Sequence, residues 1–284
     1  MVMREKLQMS FSNKVSVIVL THNEDVHLNR CIDEVSSISD DIVIVDSFSD
    51  DCTDAICNSF DNVRLYKNYW PGSHSKQLNW AFANVNFKNP WVLRLDADEY
   101  CSNELKDEII SFISLDYPGV TGAYLKRRNI FLGKELKHGC MSATKILRLW
   151  KNGYGVLDNR DMDEKITLTS GRCITFESFF YDHNLKPIDE WTKKHCEYAR
   201  KEAKQFLLGV YSESELFKDR HKSKYYNLPI FLRPLLLFIY RYVLNLGFLD
   251  GKQGFVWCLL QTLWYRTVVD LFIFLEENDN DNLV

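Results

Sequence analysis

The sequence has none of the short motifs that mark several common enzyme classes. It contains no GxxxxGK[ST], GxGxxG, HExxH or GxSxG pattern, which argues against P-loop, dinucleotide-binding, zinc-protease and serine-hydrolase sites. Its eight cysteines form no CxxC pair and no Cys/His zinc spacing, which predicts reduced thiols and a cytosolic location. No uncharged apolar run reaches about 18 residues. The first fourteen residues carry charges but no apolar core, so neither a full membrane span nor a signal peptide is predicted.

The chain also lacks an excess of positive charge. Its formal net charge is −4, which is too small and of the wrong sign for a generic nucleic-acid-binding protein. The average hides an asymmetry, because between Leu216 and Arg266 eight lysines and arginines stand against two aspartates, a local net charge of +6. The sequence therefore joins an acidic body to a basic, aromatic-rich C-terminal segment.

Short apolar runs alternate with helical patterns in the first hundred residues. Runs at 15–20, 41–45, 63–66 and 91–95 are typical of strands buried on both faces of a sheet. Further strands are predicted at 120–127 and 144–150 with a hairpin turn at 132–134, and a long helix is predicted at 187–208. The pattern predicts an α/β fold with a mostly parallel central sheet flanked by helices, followed by a C-terminal helical appendage.

Polar clusters follow three of these strands: THNE at 21–24, DSFSDD at 46–51 and DADE at 96–99. The carboxyl ends of parallel strands meet at one edge of a sheet, where such folds bind ligands. Asp96 and Asp98 can face the same side if the backbone stays extended. Mg²⁺ and Mn²⁺ bind carboxylates together with substrate phosphates, so a cation–diphosphate site is predicted. The alternative is a solvated acidic turn before the helix that starts near Ser102.

Taken in order, several segments resemble those of the family 2 glycosyltransferases, which have the A-type nucleotide-sugar fold. They are SVIVLTHNE (16–24), IVIVDSFSDDCTDAI (42–56), LRLDADEY (93–100), ILRLW (146–150), MDEKI (162–166) and GFLDGKQGF (247–255). The closer likeness is to bacterial enzymes that extend lipopolysaccharide cores or capsular repeat units. The resemblance covers nearly the whole chain, with one departure: Phe48 and Asp51 stand where the family usually has small residues, often glycine.

The resemblance implies roles for the matching positions. Residues implied to contact the nucleotide-sugar are Thr21, Asn23, Glu24, Asp46, Lys76, Asp96 and Arg148. Asp46 would face the base, and Asp96 and Asp98 would hold Mg²⁺ or Mn²⁺ at the diphosphate. The general base would be Asp163 or Glu164.

Several of these residues have an alternative interpretation. Lys76 and Asn79 follow the third strand, but each alone is typical of a surface position. Arg148 lies on an apolar strand and needs some partner, so a structural ion pair is the alternative to a role at the diphosphate or the base. His183 is a further candidate ligand for the metal or the acceptor, although most single histidines are ordinary polar groups. Lys194 and His195 are expected to lie on a helix face.

The implied reaction is a single displacement that inverts the anomeric carbon of a UDP-sugar. A cation would stabilise the leaving diphosphate, and a carboxylate would take the proton of the acceptor hydroxyl. One alternative is a nucleotidyltransferase that makes nucleotide-sugars, but THNEDVHLNR lacks the glycine-rich loop expected there. The other alternative is a non-catalytic saccharide-binding protein of the same fold. The intact acids of DADE and MDE argue against it.

The C-terminal segment is apolar nearly all round at 228–249 and 255–275. One interpretation is a membrane interface in which the interspersed cations meet anionic lipid. The protein would then be peripheral on the inner leaflet of the cell membrane, with a lipid-linked saccharide as acceptor. The alternative is a helical pair packed on the catalytic domain or across a homo-oligomer. The predicted division is a nucleotide-sugar-binding domain at 1–210 and a helical segment at 211–284.

Overall fold

A computed structural model describes residues 14–115, 117–139, 141, 144–157, 166–208 and 225–281. These residues form two compact units. Unit 1 comprises the described residues up to Asn129 and those from 144 to Leu185, and unit 2 comprises those from Ile130 to 141 and from Lys186 onward. The helix that begins at Ile188 therefore groups with the C-terminal helices, and the division into a nucleotide-sugar-binding domain and a helical segment at residue 210 stays a prediction.

The strands of the described chain follow the predicted order, with additions after residue 96. They are β1 (Ser16–Thr21), β2 (Asp41–Asp46), β3 (Val63–Lys67), β4 (Trp91–Asp96), β5 (Glu99–Cys101), β6 (Val120–Phe131), β7 (Lys134–Glu135), β8 (Thr144–Lys151), β9 (Gly155–Leu157), β10 (Ile166–Leu168) and β11 (Arg172–Asp182). The helices of unit 1 are α1 (Asp25–Ser36), α2 (Thr53–Asn58), α3 (His74–Asn84) and α4 (Asn103–Leu115).

The main sheet has the strand order β3-β2-β1-β4-β8-β6-β11-β5. β3, β2, β1 and β4 are parallel neighbours, whereas β8 joins β4 and β6 in antiparallel pairing. The first, second and fourth apolar runs are buried along their length, as expected for strands covered on both faces. The predicted fold class is confirmed, with parallel strands in the first half of the sheet and mixed pairing beyond β4, where β8 and β5 pair antiparallel with their neighbours and β11 pairs parallel with β6.

Unit 2 is mainly helical. Its helices are α5 (Ile188–Leu207), α6 (Leu232–Ile239), α7 (Gly251–Cys258) and α8 (Tyr265–Asp281), with π-helical turns at Tyr240–Leu244 and Leu259–Trp264 and a 3-10 turn at Gly247–Asp250. α5 and α8 pack through a small cluster of Ala199, Ala203, Val269 and Ile273. By length and composition alone, the helical stretch Gly247–Asn278 could cross a membrane, with a mean hydropathy of 1.4 over its most apolar window.

The segment GFLDGKQGF has a structural role within unit 2. The Asp250 carboxylate accepts the backbone N–H groups of Lys137 at 2.9 Å and His138 at 2.8 Å, so it anchors the loop after the β6–β7 hairpin. A Cβ on Gly254 would lie 2.3 Å from the carbonyl oxygen of Gly247. Only glycine permits that approach, because any side chain would clash with backbone.

Candidate active site

The parallel strands bring the predicted polar clusters to one edge of the sheet. In the register of β1 with its neighbours, Thr21 pairs with Asp46 and Leu20 pairs with Asp96. All of these residues belong to unit 1. The DADE acids and the first two loops therefore lie side by side, as the alternating pattern of strands and helices predicts.

The loops after β1 and β2 are hydrogen-bonded to each other. The backbone N–H of Asn23 donates to the Ser49 hydroxyl at 2.8 Å, and the Asn23 side-chain oxygen accepts the N–H of Asp50 at 3.0 Å. Asp46 is fully buried, and its carboxylate accepts both the N–H and the hydroxyl of Ser49. The Thr21 hydroxyl is buried with no hydrogen-bond partner among the described residues. A buried polar group of this kind needs a partner, and a bound ligand can supply one.

The backbone at Phe48 explains how the chain departs from the family pattern at this position. Phe48 has φ 60°, a left-handed conformation that favours glycine. Its ring is half exposed and stacks on Tyr69 at a centroid distance of 4.1 Å. The stacked pair stabilises the folded loop. The loop therefore follows a backbone path suited to glycine and still presents an aromatic surface.

Glu24 is oriented by a buried histidine. His27 is fully buried, and its Nε2 accepts the backbone N–H of Leu185 at 2.7 Å. That bond places the ring proton on Nδ1, which lies 2.6 Å from the Glu24 carboxylate and donates to it. Through His27, the loop after β11 thus holds the carboxylate of Glu24 in one orientation. Glu24 is one of the residues predicted to contact the nucleotide-sugar.

Arg148 joins two of the acids. Its guanidinium is 4% exposed and donates to Asp96 at 3.0 Å and to Glu99 at 2.6 Å. Burial raises the pKa of Asp96, but Arg148 and Arg94 outweigh it and hold that pKa well below its usual range. Burial raises the pKa of Glu99 despite the arginine. The ion pair that sequence reasoning gave as the alternative role of Arg148 is thus present, and a direct contact with the donor stays a prediction.

Asp98 has no such partner in the part of the chain that the structure describes. Burial is the largest influence on it, and the negative charges of Asp182, Asp96 and Glu24 add to it, so the pKa of Asp98 rises to about 6. Within the described residues no lysine or arginine forms an ion pair with its carboxylate. Asp98 therefore carries a negative charge that its surroundings do not compensate, which a bound cation would relieve.

The end of β11 and the residue that follows it add two site residues that sequence reasoning placed on no element. Asp182 ends β11, accepts from the Asn129 side chain at 3.1 Å and has a pKa raised by burial and by Asp96. The backbone N–H of His183 donates to the carbonyl of Asp98 at 3.0 Å. The β-branched and aromatic run from Cys173 to Tyr181 is the signal that could have identified this strand.

The His183 ring is held in one orientation. Arg30 donates to its Nδ1 at 3.1 Å and to its carbonyl oxygen at 2.9 Å. Because an arginine cannot accept a hydrogen bond, the ring proton of neutral His183 lies on Nε2. A nitrogen that carries a proton cannot bind a metal, so this orientation favours a polar contact over a metal ligand.

The remaining predicted residues lie on the helices α3 and α5 or outside the described residues. Lys76 lies in the first turn of α3 with an exposed side chain, and its backbone N–H donates to the Ser73 hydroxyl that caps the helix. Lys194 is exposed on α5, and His195 stacks on Trp191 there. Asp163 and Glu164 lie outside the described residues, so their role as general base stays a prediction.

The carboxylates of Asp96 and Asp98 fit a cation whose remaining ligands come from the diphosphate of a bound nucleotide-sugar. Among the described residues, no group of three histidine, cysteine, aspartate or glutamate side chains has the arrangement of a complete metal site. Mg²⁺ commonly takes one or two carboxylates and completes its shell with water and substrate phosphates. Asp98, with Asp96 two residues before it, would supply that smaller set of oxygen ligands.

Comparison with known proteins agrees with this geometry. The family model described as Glycosyl transferase family 2 matches residues 16–185. An uncharacterized glycosyltransferase of Rickettsia typhi is 23% identical over 257 residues, which cover 86% of this chain and 81% of that protein. An uncharacterized glycosyltransferase of Rickettsia bellii is 37% identical over 98 residues, or 34% of this chain and 32% of that protein.

Among solved structures, the crystal structure of S. aureus TarS 1-349 aligns with a TM-score of 0.48 at 15% identity, over 95% of this chain and 92% of that one. The family match runs from the start of the first strand, through the acidic cluster, to the loop after Asp182. The chain belongs to glycosyl transferase family 2, a family of sugar-transferring enzymes.

Proposed function

We propose that the protein moves a sugar from a UDP-sugar to a hydroxyl of a saccharide acceptor, with inversion at the anomeric carbon. The observation that carries the proposal is the grouping of Thr21, Asp46, Asp96 and Asp98 at one sheet edge of unit 1. Thr21 offers a buried hydroxyl that has no hydrogen-bond partner among the described residues, and Asp98 offers a carboxylate that no lysine or arginine among them pairs with. Such an edge suits a ligand that is part nucleoside and part diphosphate.

Several described residues are each assigned one contribution to the binding of the nucleotide-sugar. Thr21, at the end of β1, and Asn23, on the loop after it, offer polar groups. Glu24 is fixed by His27, and Asp96 is fixed by Arg148. When bound, Mg²⁺ or Mn²⁺ would be held by Asp98 and Asp96 and would stabilise negative charge on the leaving diphosphate. Fixed groups of this kind need little rearrangement when the charge develops, which is the condition for effective electrostatic stabilisation.

The general base that takes the proton of the acceptor hydroxyl is assigned to the MDEK segment, where it is the carboxylate of Asp163 or Glu164. We expect Asp163→Asn or Glu164→Gln to lower turnover by roughly 10²–10⁴-fold, because the proton of the attacking hydroxyl then has no base. Donor binding should persist in the variant that has lost the base, measured as the shift in melting temperature with donor and Mn²⁺. Near wild-type transfer by both variants would show that neither residue is the base.

The acceptor is proposed to be a lipid-linked saccharide at the cytoplasmic face of the membrane, in the synthesis of a bacterial lipopolysaccharide core or capsular polysaccharide. The support is the resemblance of the sequence segments and the basic, apolar C-terminal segment. A lipid-linked acceptor would keep the transferase at the inner leaflet, where such a segment can meet anionic lipid.

A thermal-shift screen of UDP-, GDP- and dTDP-sugars with and without Mn²⁺ tests the function. At about a hundred times its Kd, a ligand stabilises the folded state by about 2.7 kcal/mol, which raises Tm by roughly 5–10 °C. We expect that shift with a UDP-sugar and Mn²⁺ together, and a much smaller one with either alone. If no nucleotide-sugar raises Tm under any of these conditions, the proposed donor class is wrong.

A further inference from the structure

The outward face of one helix in unit 2 is entirely apolar. From Leu232 to Leu244 the chain forms α6 and a π-helical turn. The exposed residues of this stretch are Leu232, Leu235, Leu236, Ile239, Tyr240, Val243 and Leu244. Each of them retains between 40% and 69% of its accessible surface. A helix on a water-soluble surface normally turns its polar residues outward, so this helix has the opposite arrangement.

The charges of the same region point inward. Arg233 is 1% exposed, and its Nε donates to the Asp270 carboxylate at 2.8 Å. Asp270 is also 1% exposed and accepts the backbone N–H of Phe231 at 2.8 Å. The charges of Arg233 and Asp270 are therefore satisfied inside unit 2 and are not presented on its surface.

The apolar face extends beyond α6. Phe231 lies 5.9 Å from Phe274 between ring centroids, and both are exposed. Exposed apolar side chains also precede and follow these rings in unit 2: Leu228, Leu246, Phe248, Leu249, Phe255, Leu271 and Leu275. Only 28% of the most apolar window of Gly247–Asn278 is buried. We call α6, its π-helical turn and the adjoining pair of Phe231 and Phe274 the apolar face of unit 2.

Cations accompany this face. Lys252 and Lys137 are exposed in unit 2, and Arg241 is half-buried. Cations near an apolar surface are the arrangement that binds anionic headgroups while acyl chains cover the aliphatic side chains.

A lipid surface suits the face better than a protein partner. Protein interfaces carry roughly one hydrogen bond per 100–200 Å², whereas among the seven exposed residues of 232–244 only the Tyr240 hydroxyl offers a side-chain hydrogen-bonding group. Acyl chains require none. Large exposed apolar patches mark such contact sites.

We propose that the apolar face of unit 2 lies in the interfacial layer of an anionic membrane, with α6 parallel to the membrane plane. This assigns the membrane contact of the proposed function to a defined surface. It deepens that function but is tested without donor or acceptor. If the wild type binds vesicles but transfers no sugar, the proposed function alone is wrong. If the wild type transfers sugar without binding vesicles, the proposed surface alone is wrong.

The test is flotation of the full-length protein with phosphatidylcholine vesicles that contain or lack phosphatidylglycerol. We expect the wild type to float with the anionic vesicles and less with the neutral ones. Leu235→Glu/Ile239→Glu should lower the bound fraction by at least about tenfold, because two carboxylates on this face oppose its transfer into lipid. The matched control is Leu115→Glu/Val156→Glu, which adds the same charges at exposed aliphatic positions of unit 1 and should float like the wild type.

A second measurement does not depend on charged substitutions. Ile239→Trp should show blue-shifted tryptophan fluorescence and quenching by brominated lipid, relative to the wild type, and Leu115→Trp should show neither. The proposal is overturned if the wild type does not float or if both double variants float alike. It is also overturned if Leu235→Glu/Ile239→Glu converts a dimer into monomers while vesicle binding is unchanged, since a second copy of the chain would then cover the face.

Discussion

Replacing Asp98 with asparagine is expected to lower kcat/KM for sugar transfer by about 10³–10⁵-fold, since both cation-assisted leaving-group stabilisation and donor affinity are lost. The reason lies in the different surroundings of the two DADE aspartates. Asp96 is neutralised by Arg148 and Arg94, whereas Asp98 faces Asp182 and Glu24 and has a pKa raised to about 6. Asp98 is thus the carboxylate that most needs a cation. Transfer assays across a range of Mn²⁺ concentrations measure the effect.

The same substitution should make the protein without ligand more stable near neutral pH. A raised pKa means that the folded state binds this proton more readily than the unfolded chain. The contribution of Asp98 to stability is therefore unfavourable above about pH 6 and disappears as the pH falls through 6 toward its unfolded pKa near 4. After allowance for solvent screening, Asp98→Asn should gain about 1–2 kcal/mol of unfolding free energy near pH 7. The gain should vanish near pH 4.

Asp107→Asn is the matched control, because Asp107 is an exposed aspartate on α4. It should change neither transfer nor the pH profile of unfolding. Asp98→Asn with full Mn²⁺-dependent transfer would contradict the assignment of the cation to Asp98. A variant that lost both activity and stability would indicate a structural role instead.

Replacing Arg148 with methionine is expected to cost about 3–5 kcal/mol of unfolding free energy, which is the usual cost of leaving buried charges without their partner. Arg148 donates to both Asp96 and Glu99, and Glu99 is 1% exposed. Methionine fills much of the same volume, so the loss reports the missing charge rather than a cavity. Denaturant unfolding followed by circular dichroism measures it, and a loss of this size is a large part of the stability of an ordinary domain.

Two further variants separate charge from geometry at Arg148. Arg148→Lys keeps the charge but not the planar fork of donors, so we expect an intermediate loss. Arg148→Met/Glu99→Gln should recover part of the stability, because the second substitution removes one of the stranded charges. Lys145→Met serves as the control, since Lys145 is exposed on the same strand. An Arg148→Met loss no larger than that of Lys145→Met would contradict the buried-pair interpretation.

Much of unit 1 could be predicted from local patterns. The apolar runs at 15–20, 41–45, 63–66 and 91–95 correspond to β1 to β4 within a residue or two at each end. The hairpin turn at 132–134 was also predicted, and Leu132 and Gly133 adopt φ of 48° and 73° there. These features could be predicted because burial on both faces requires apolar residues in succession, and tight turns require particular residue types.

Other parts of the site could not be predicted in this way. Asp182 is 84 residues from Asp98 in the sequence, and only the pairing of β11 with β5 and β6 brings the two acids together. The ordering of Glu24 depends on a hydrogen bond between His27 and the backbone of Leu185. The residues of GFLDGKQGF give no sign in the sequence that Asp250 anchors a hairpin loop rather than a ligand.

By itself, the sequence determined which strands are buried and which of them end in acids, because hydrophobic periodicity and strand-end polarity are local properties of the chain. Tertiary structure alone decided that Asp96 is neutralised while Asp98 is left with an uncompensated charge. It also decided that Arg233 is buried while the leucines of α6 face outward. The physical reason is that burial and electrostatic interaction depend on distances between residues far apart in the chain, and those distances exist only once the chain has folded.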